Sequence, residues 1–183
     1  EDLLRIGYQN RPKLFDLHIQ LPELLYQQVI GVAERLDAEG EVLKALDTAA
    51  LRADLQRAFD SGIRSVAIAF LHGYRFPDHE KQAGEIARDI GFTQVSLSHV
   101  ASPLIKLVGR GDTTVVDAYL SPVLRRYVQQ VRDALGPAIA AQARLMFMQS
   151  NGGLADADFF EGKDAILSGP AGGVVGMVRS ADR

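Results

Sequence analysis

The chain contains no cysteine. That excludes a disulfide framework and any zinc site built on Cys thiolates. It fits a reducing compartment, and the expected location is the cytoplasm. No run of 18 apolar residues occurs, so no membrane-spanning helix is expected. No secretory leader is expected from its opening residues. Charge of one sign is also missing. The 20 basic and 23 acidic residues leave a formal charge of −3, and the basic residues are scattered. Nucleic acid is therefore a poor partner. The first residue is not Met, and the last residues, "GMVRSADR", stop inside a helical pattern. The expectation is an internal fragment of a longer protein.

What is present is a foldable composition. Apolar residues make up 47% of 183, enough for a packed core. "LPELLYQQVIGVAERL" at 21–36 carries a helix start at Pro22, with Leu25, Val29 and Leu36 as its apolar face. Residues 48–60 read as an amphipathic helix capped by Thr48, with Leu51, Leu55 and Phe59 on one face. "SVAIAFLH" at 65–72 is an apolar run of strand length, expected to be covered on both faces and to end at His72. A helix over 77–91 is bounded by Pro77 or Asp78 and Gly91, and an alternating strand follows at 93–99. This order predicts an α/β fold with a mostly parallel sheet and flanking helices.

The second half repeats the logic. Asp112 is expected to cap a helix over 113–135. Its apolar stripe would be Val116, Tyr119, Leu120, Val123, Leu124, Tyr127, Val128, Val131 and Leu135, with a kink or restart at Ser121–Pro122. "RLMFMQS" at 144–150 reads as a buried strand. A boundary between two lobes falls near 100–112, where Pro103, Gly109 and Gly111 break the pattern.

Four stretches could carry chemistry. "AILSGPAGGVVGMV" at 165–178 has four glycines and one proline, yet no Lys follows as in GxxxxGK[ST], and the spacing is not GxGxxG. Ser168 can cap a helix starting at Pro170, with Gly169, Gly172, Gly173 and Gly176 leaving its surface bare. Such a surface suits close helix packing or ligand contact, and a free helix N-terminus attracts anions. "QSNGG" at 149–153 places Ser150, Asn151, Gly152 and Gly153 directly after a strand. It is either an Asn-Gly turn or a ligand site beyond the strand's carboxyl end. His72, His79 and Glu80 have the spacing H-x6-H-E, which is not that of a zincin, so bridging or capping histidines are expected. In "LVGRGDTTVVDAYLSP" at 107–122, Arg110 sits between glycines before Asp112, Thr113 and Thr114. It is either an exposed Arg beside a capped helix, or an Arg with hydroxyls facing a polar ligand.

"FLHGYRFPDHE" at 70–80, "RGDTTVVDAYLSPVLRRY" at 110–127, "MQSNGGL" at 148–154 and "ILSGPAGGVVG" at 166–176 together resemble the ATP-dependent hydantoinase/oxoprolinase family. Acetone carboxylase subunits are its cousins. Many relatives have a Glu-Arg-Thr-Ser-Thr-Thr-like run at 109–114. Here Arg110, Thr113 and Thr114 match, and Gly109, Gly111 and Asp112 do not.

The resemblance implies a fragment of an actin/sugar-kinase/Hsp70-like ATPase fold. Residues 1–108 would end the first lobe and 109–183 would begin the second. Its two D-x-G-G-T-type phosphate loops lie outside this sequence. The implied reaction of the parent protein is ATP-driven opening of a hydantoin or 5-oxoproline ring, with ATP and Mg²⁺ as cofactors and a B-type subunit or fused domain as partner. The alternatives are a fragment of an ATP-dependent ketone carboxylase subunit and a non-catalytic packing segment. The residues expected at the cleft are Arg110, Asp112, Thr113, Ser150, Asn151, Gly152, Gly153, Ser168, Gly169, Gly172 and Gly173. No general base is named.

Overall fold

The computed structural model describes residues 15–18, 23–140 and 143–181, with backbone alone at 137–140. The chain folds as two compact units, Glu1–Val116 and Asp117–Arg183.

The first unit opens with a short antiparallel pair, β1 (Arg35–Leu36) and β2 (Val42–Lys44). The helix expected over 21–36 does not form in its described part: residues 23–34 are irregular and lead into β1. Pro22, its expected start, lies outside the described residues. Of its expected face, Leu25 is exposed and Leu36 is buried from a strand, while Ile30 and Val32 pack on the core from irregular backbone.

Helix α1 (Thr48–Asp60) forms as expected, but its cap is Asp47, whose carboxylate accepts from the Ala50 N–H at 3.0 Å. Thr48 is the first helical residue instead. Leu51, Leu55 and Ala58 are buried on its inner face. Phe59 meets the Phe92 ring edge-on at 5.4 Å.

Strand β3 (Ser65–Ile68) pairs in parallel with β4 (Gln94–Leu97), in the register Ser65 to Gln94 and Ile68 to Leu97. β3 is shorter than the apolar run. Residues 71–75 already form a turn, so His72 follows the strand rather than ending it. Three of the four β3 residues are half-buried and only Ile68 is fully covered. Between the strands runs α2 (Asp78–Ile90), stopped by Gly91 at φ 113°, a left-handed position that favours glycine. The core joins Leu51 and Leu55 of α1 to Ala83, Ile86 and Ala87 of α2 and to Ile68 and Leu97. Burying each large side chain contributes about 1.5–3 kcal/mol.

After β4 comes the single turn α3 (Ser98–Ala101), then α4 (Leu107–Ala140). The division between the units falls inside α4. The helix starts five residues before Asp112, which is an internal residue and not a cap. The backbone stays helical through Ser121 and Pro122. It breaks instead at Gly136, with φ 76° and ψ 158°. Of the expected stripe, Val128 is buried, while Tyr119, Val123, Tyr127 and Leu135 are exposed.

In the second unit, β5 (Met146–Met148) and β6 (Leu154–Asp156) form an antiparallel hairpin. A 3-10 turn (Ala157–Phe159), α5 (Gly162–Ala165) and α6 (Ser168–Ala181) follow. Its small core joins Val128, Ala157 and Phe160, with Phe147 stacked on Phe160 at 5.1 Å. Parallel pairing is therefore confined to β3–β4 among the described residues, and the other two pairs are hairpins.

Candidate functional site

The largest fully buried side chains among the described residues are all polar: Arg110, Glu80, Thr114 and Ser98. They form one connected network, in the first unit, where β3 and β4 end. Glu80 lies on the inner face of α2 with Ala83, Gly84 and Ala87. Its Oε1 accepts from the Phe70 N–H at 2.9 Å and the Ser98 hydroxyl at 2.5 Å. Its Oε2 accepts from the His99 N–H at 3.1 Å and His99 Nδ1 at 2.7 Å. Four donors occupy the four lone-pair positions of a carboxylate.

Arg110 is satisfied in the same way. Nε donates to Ser98 Oγ at 2.9 Å. One terminal nitrogen donates to the carbonyls of Leu104 at 2.5 Å and Ile105 at 3.2 Å. The other donates to those of Phe70 at 2.6 Å and Leu71 at 3.0 Å. A guanidinium has five N–H donors, and all five are used inside the protein. Burial pushes its pKa below the usual arginine value, against the opposing pull of Glu80 and Tyr74. The Tyr74 ring lies 5.5 Å from the guanidinium.

These contacts correct two sequence expectations. Arg110 is neither on a loop nor exposed: it sits in the first turns of α4 and is completely buried. Thr113 and Thr114 are not free hydroxyls, because each donates to the carbonyl four residues back, Gly109 at 2.9 Å and Arg110 at 2.6 Å. Asp112 alone of this group faces solvent, and local desolvation raises its carboxyl above the usual aspartate pKa.

Glu80 and Arg110 hold Phe70 from opposite sides, one on its N–H and the other on its carbonyl. The turn at 71–75 then closes through Gly73 N–H to Phe70 O at 3.1 Å and Phe76 N–H to His72 O at 2.9 Å. A Cβ on Gly73 would overlap the Glu80 carboxyl, so only glycine fits there. His79 bridges to Glu34, its Nδ1 2.7 Å from Glu34 Oε2. No group of three His, Cys, Asp or Glu side chains converges among the described residues.

The remaining candidates gather in the second unit. Residues 149–153 are the hairpin turn between β5 and β6. Gln149 N–H donates to Gly153 O at 2.8 Å, and Gly152 takes φ 83°. Asn151 Oδ1 accepts the Gly153 N–H at 2.8 Å, a local Asx turn. Ser150 ties this turn to the next segment: its hydroxyl donates to Asp164 O at 2.7 Å and accepts the Leu167 N–H at 2.9 Å.

Ser168 begins α6 but does not cap it as expected, since its hydroxyl donates backward to Ala165 O at 2.8 Å. A Cβ on Gly172 would lie 3.6 Å from Met148 Cγ, and one on Gly152 would lie 3.3 Å from Val175 Cγ2. A Cβ on Gly169, Gly173 or Gly176 would meet nothing within 4 Å. Among the described residues, Gly169, Gly173 and Gly176 pack against nothing, and α6 lies against β5. Ser150, Asn151, Gly152, Gly153, Ser168, Gly169, Gly172 and Gly173 therefore belong to one local assembly. Arg110, Asp112 and Thr113 belong to the other unit.

Sequence reasoning did not single out Ser98 or His99, and it weighed Glu80 only as a metal ligand. The signal for Glu80 was present: a carboxylate on the same helical face as Ala83 and Ala87 needs buried partners.

Two regions of the chain match family descriptions, residues 1–91 "Hydantoinase/oxoprolinase N-terminal region" and residues 110–183 "Hydantoinase/oxoprolinase". The chain belongs to the hydantoinase/oxoprolinase family. The N-terminal match reaches residue 1, well before the first stretch that carried the resemblance in the sequence. Within this family it is 42% identical over 203 residues to a 5-oxoprolinase of Saccharomyces cerevisiae, covering 96% of this chain. The chain spans only 16% of the length of that relative. The crystal structure of an ATP-dependent caprolactamase from Pseudomonas jessenii superposes with a TM-score of 0.74 at 32% identity, over 93% of this chain and 26% of that one. Acetone carboxylase, in a nucleotide-free structure, superposes with a TM-score of 0.71 at 24% identity, over 83% of this chain and 22% of that one, and shares the fold. The α/β class expected from the sequence is the one these family structures have. No helix among the described residues is long and apolar enough to cross a membrane.

Proposed function

We propose that this chain is part of an ATP-dependent hydrolase that opens a cyclic amide, a hydantoin or 5-oxoproline ring. The observation that carries this reading is 42% identity to a 5-oxoprolinase across 96% of the chain. The 32% identity to a structure named as an ATP-dependent caprolactamase supports the same reaction class. ATP supplies phosphoryl transfer to the ring carbonyl oxygen, which makes a poor electrophile attackable by water. The described residues offer neither a phosphate loop nor a converging acidic set, so no residue of this chain is assigned to ATP phosphates or Mg²⁺. The reading places the end of one lobe at residue 108 and the start of the next at 109, a cytoplasmic location, and a B-type subunit or fused domain as partner.

Within this frame the chain contributes rigid backbone. Glu80 and Arg110 hold the 70–75 turn, and Arg110 is an internal brace because none of its donors is spare. In the second unit, the 149–153 turn and the start of α6 form the ligand-facing candidates. Ser150 fixes their spacing, and Gly169 and Gly173 leave backbone open.

The acetone carboxylase likeness favours one second reading, an ATP-dependent ketone carboxylase subunit. ATP hydrolysis by the whole protein should rise with 5-oxoproline or hydantoin. Stimulation by acetone plus bicarbonate alone would select the second reading, and stimulation by neither would reject both.

A further inference from the structure

The buried network at the ends of β3 and β4 is closed at every donor and acceptor described above except one. His99 is the second residue after β4, in α3, at the carboxyl edge where open α/β sheets take ligands. Its backbone N–H and its Nδ1 are both held by Glu80 Oε2. Glu80 is fully buried and its two oxygens accept from Phe70 N–H, Ser98 Oγ and His99 N–H, so the fourth contact is satisfied by a proton on His99 Nδ1. In the tautomer that donates from Nδ1, the ring's lone pair lies on Nε2. Nε2 makes no hydrogen bond among the described residues, and the side chain retains 15% exposure. A buried charge network costs desolvation that an apolar core would avoid. Here its effect is to fix one imidazole in one tautomer and one orientation, a preorganised acceptor at a sheet edge.

We propose that His99 Nε2 is a ligand-binding acceptor, with Glu80 as its positioning residue, and that it takes the ring N–H of a cyclic amide. This rests on the proposed function and deepens it. A cyclic amide offers an N–H donor beside its carbonyl, whereas a ketone offers none, so the acceptor suits the first class and not the second.

Two lactams that differ only in that proton provide the test. In the ¹⁵N-histidine-labelled 183-residue chain, long-range NMR should show the His99 proton on Nδ1. The Nε2 resonance should shift with 2-pyrrolidinone and not with N-methyl-2-pyrrolidinone. Equal shifts with both lactams, or none with either, overturn the proposal. In the whole protein, His99→Asn removes the Nε2 position and should raise KM for the cyclic amide about ten-fold, the worth of one hydrogen bond. KM for ATP should not move, and His99→Gln, which returns an acceptor near Nε2, should recover part of the loss. An unchanged cyclic-amide KM in His99→Asn, or an equal rise in both KM values, overturns it. If the whole protein hydrolyses no ATP with cyclic amides, the functional reading fails while the NMR comparison still decides this one.

Discussion

Arg110 shows how a residue with the look of a ligand contact becomes a structural one. Flanked by Gly109 and Gly111, it reads as a mobile cation, yet it spends five N–H donors on four carbonyls and one hydroxyl. Removing one member of a buried charged network leaves its partners unpaired, at a cost of about 3–5 kcal/mol. Arg110→Ala should therefore lower unfolding free energy by about that amount in urea titration. A loss below about 1 kcal/mol would mean the carbonyls find water instead. Gly73→Ala should destabilise by about 1–3 kcal/mol, because its new methyl meets the Glu80 carboxyl. Asp156 adds a pH signature. The Asp158 N–H and the Arg144 guanidinium hold its carboxyl below the usual aspartate pKa. A depressed folded-state pKa contributes stability that is present above the unfolded value, near 3.8, and is lost as pH falls through the folded one. Asp156→Asn should thus flatten the acid limb of a stability-against-pH curve below about pH 4. An unchanged limb would show that the two contacts do not persist in solution.

At the scale of elements, the clearest sequence signals belong to segments whose own pattern decides them. The 48–60 and 78–90 helices satisfy their apolar faces locally, and Gly91 ends the second by its left-handed φ. Replacing the cap, Asp47→Ala, should cost about 1 kcal/mol by thermal or urea unfolding, while Thr48→Ala should cost little. Equal losses would return the cap to Thr48. The 21–36 segment misled because its apolar residues are used without a helix: Ile30 and Val32 pack on the core from irregular backbone and Leu36 is buried in β1. The early start of α4 was hidden by Gly109 and Gly111, whose poor helix propensity is overridden by burying Arg110 between Phe70, Leu104 and Ser98. Pro122 did not break α4, whereas Gly136, with its positive φ, did. Of the candidate site, the 149–153 turn and its Asn-Gly chemistry were readable from local rules. The Glu80–His99–Arg110 network was not, because its hydrogen bonds join residues up to 40 apart, and pairing across such a distance leaves no periodic trace.

For the whole molecule, each unit carries its own candidate group: a closed polar network with one open imidazole in the first, and a glycine-lined turn and helix start in the second. Neither contains a phosphate cradle among its described residues, so the 183-residue chain should bind ATP weakly or not at all. Calorimetry returning micromolar affinity would contradict that division of labour. The most direct measurement is the stoichiometry of ADP release against ring opening in the whole protein, supplied with ATP and either 5-oxoproline or hydantoin. The account predicts one ADP for each ring opened, and no ADP above background without the cyclic amide. ADP formed only when acetone and bicarbonate are present, with both rings intact, would contradict it.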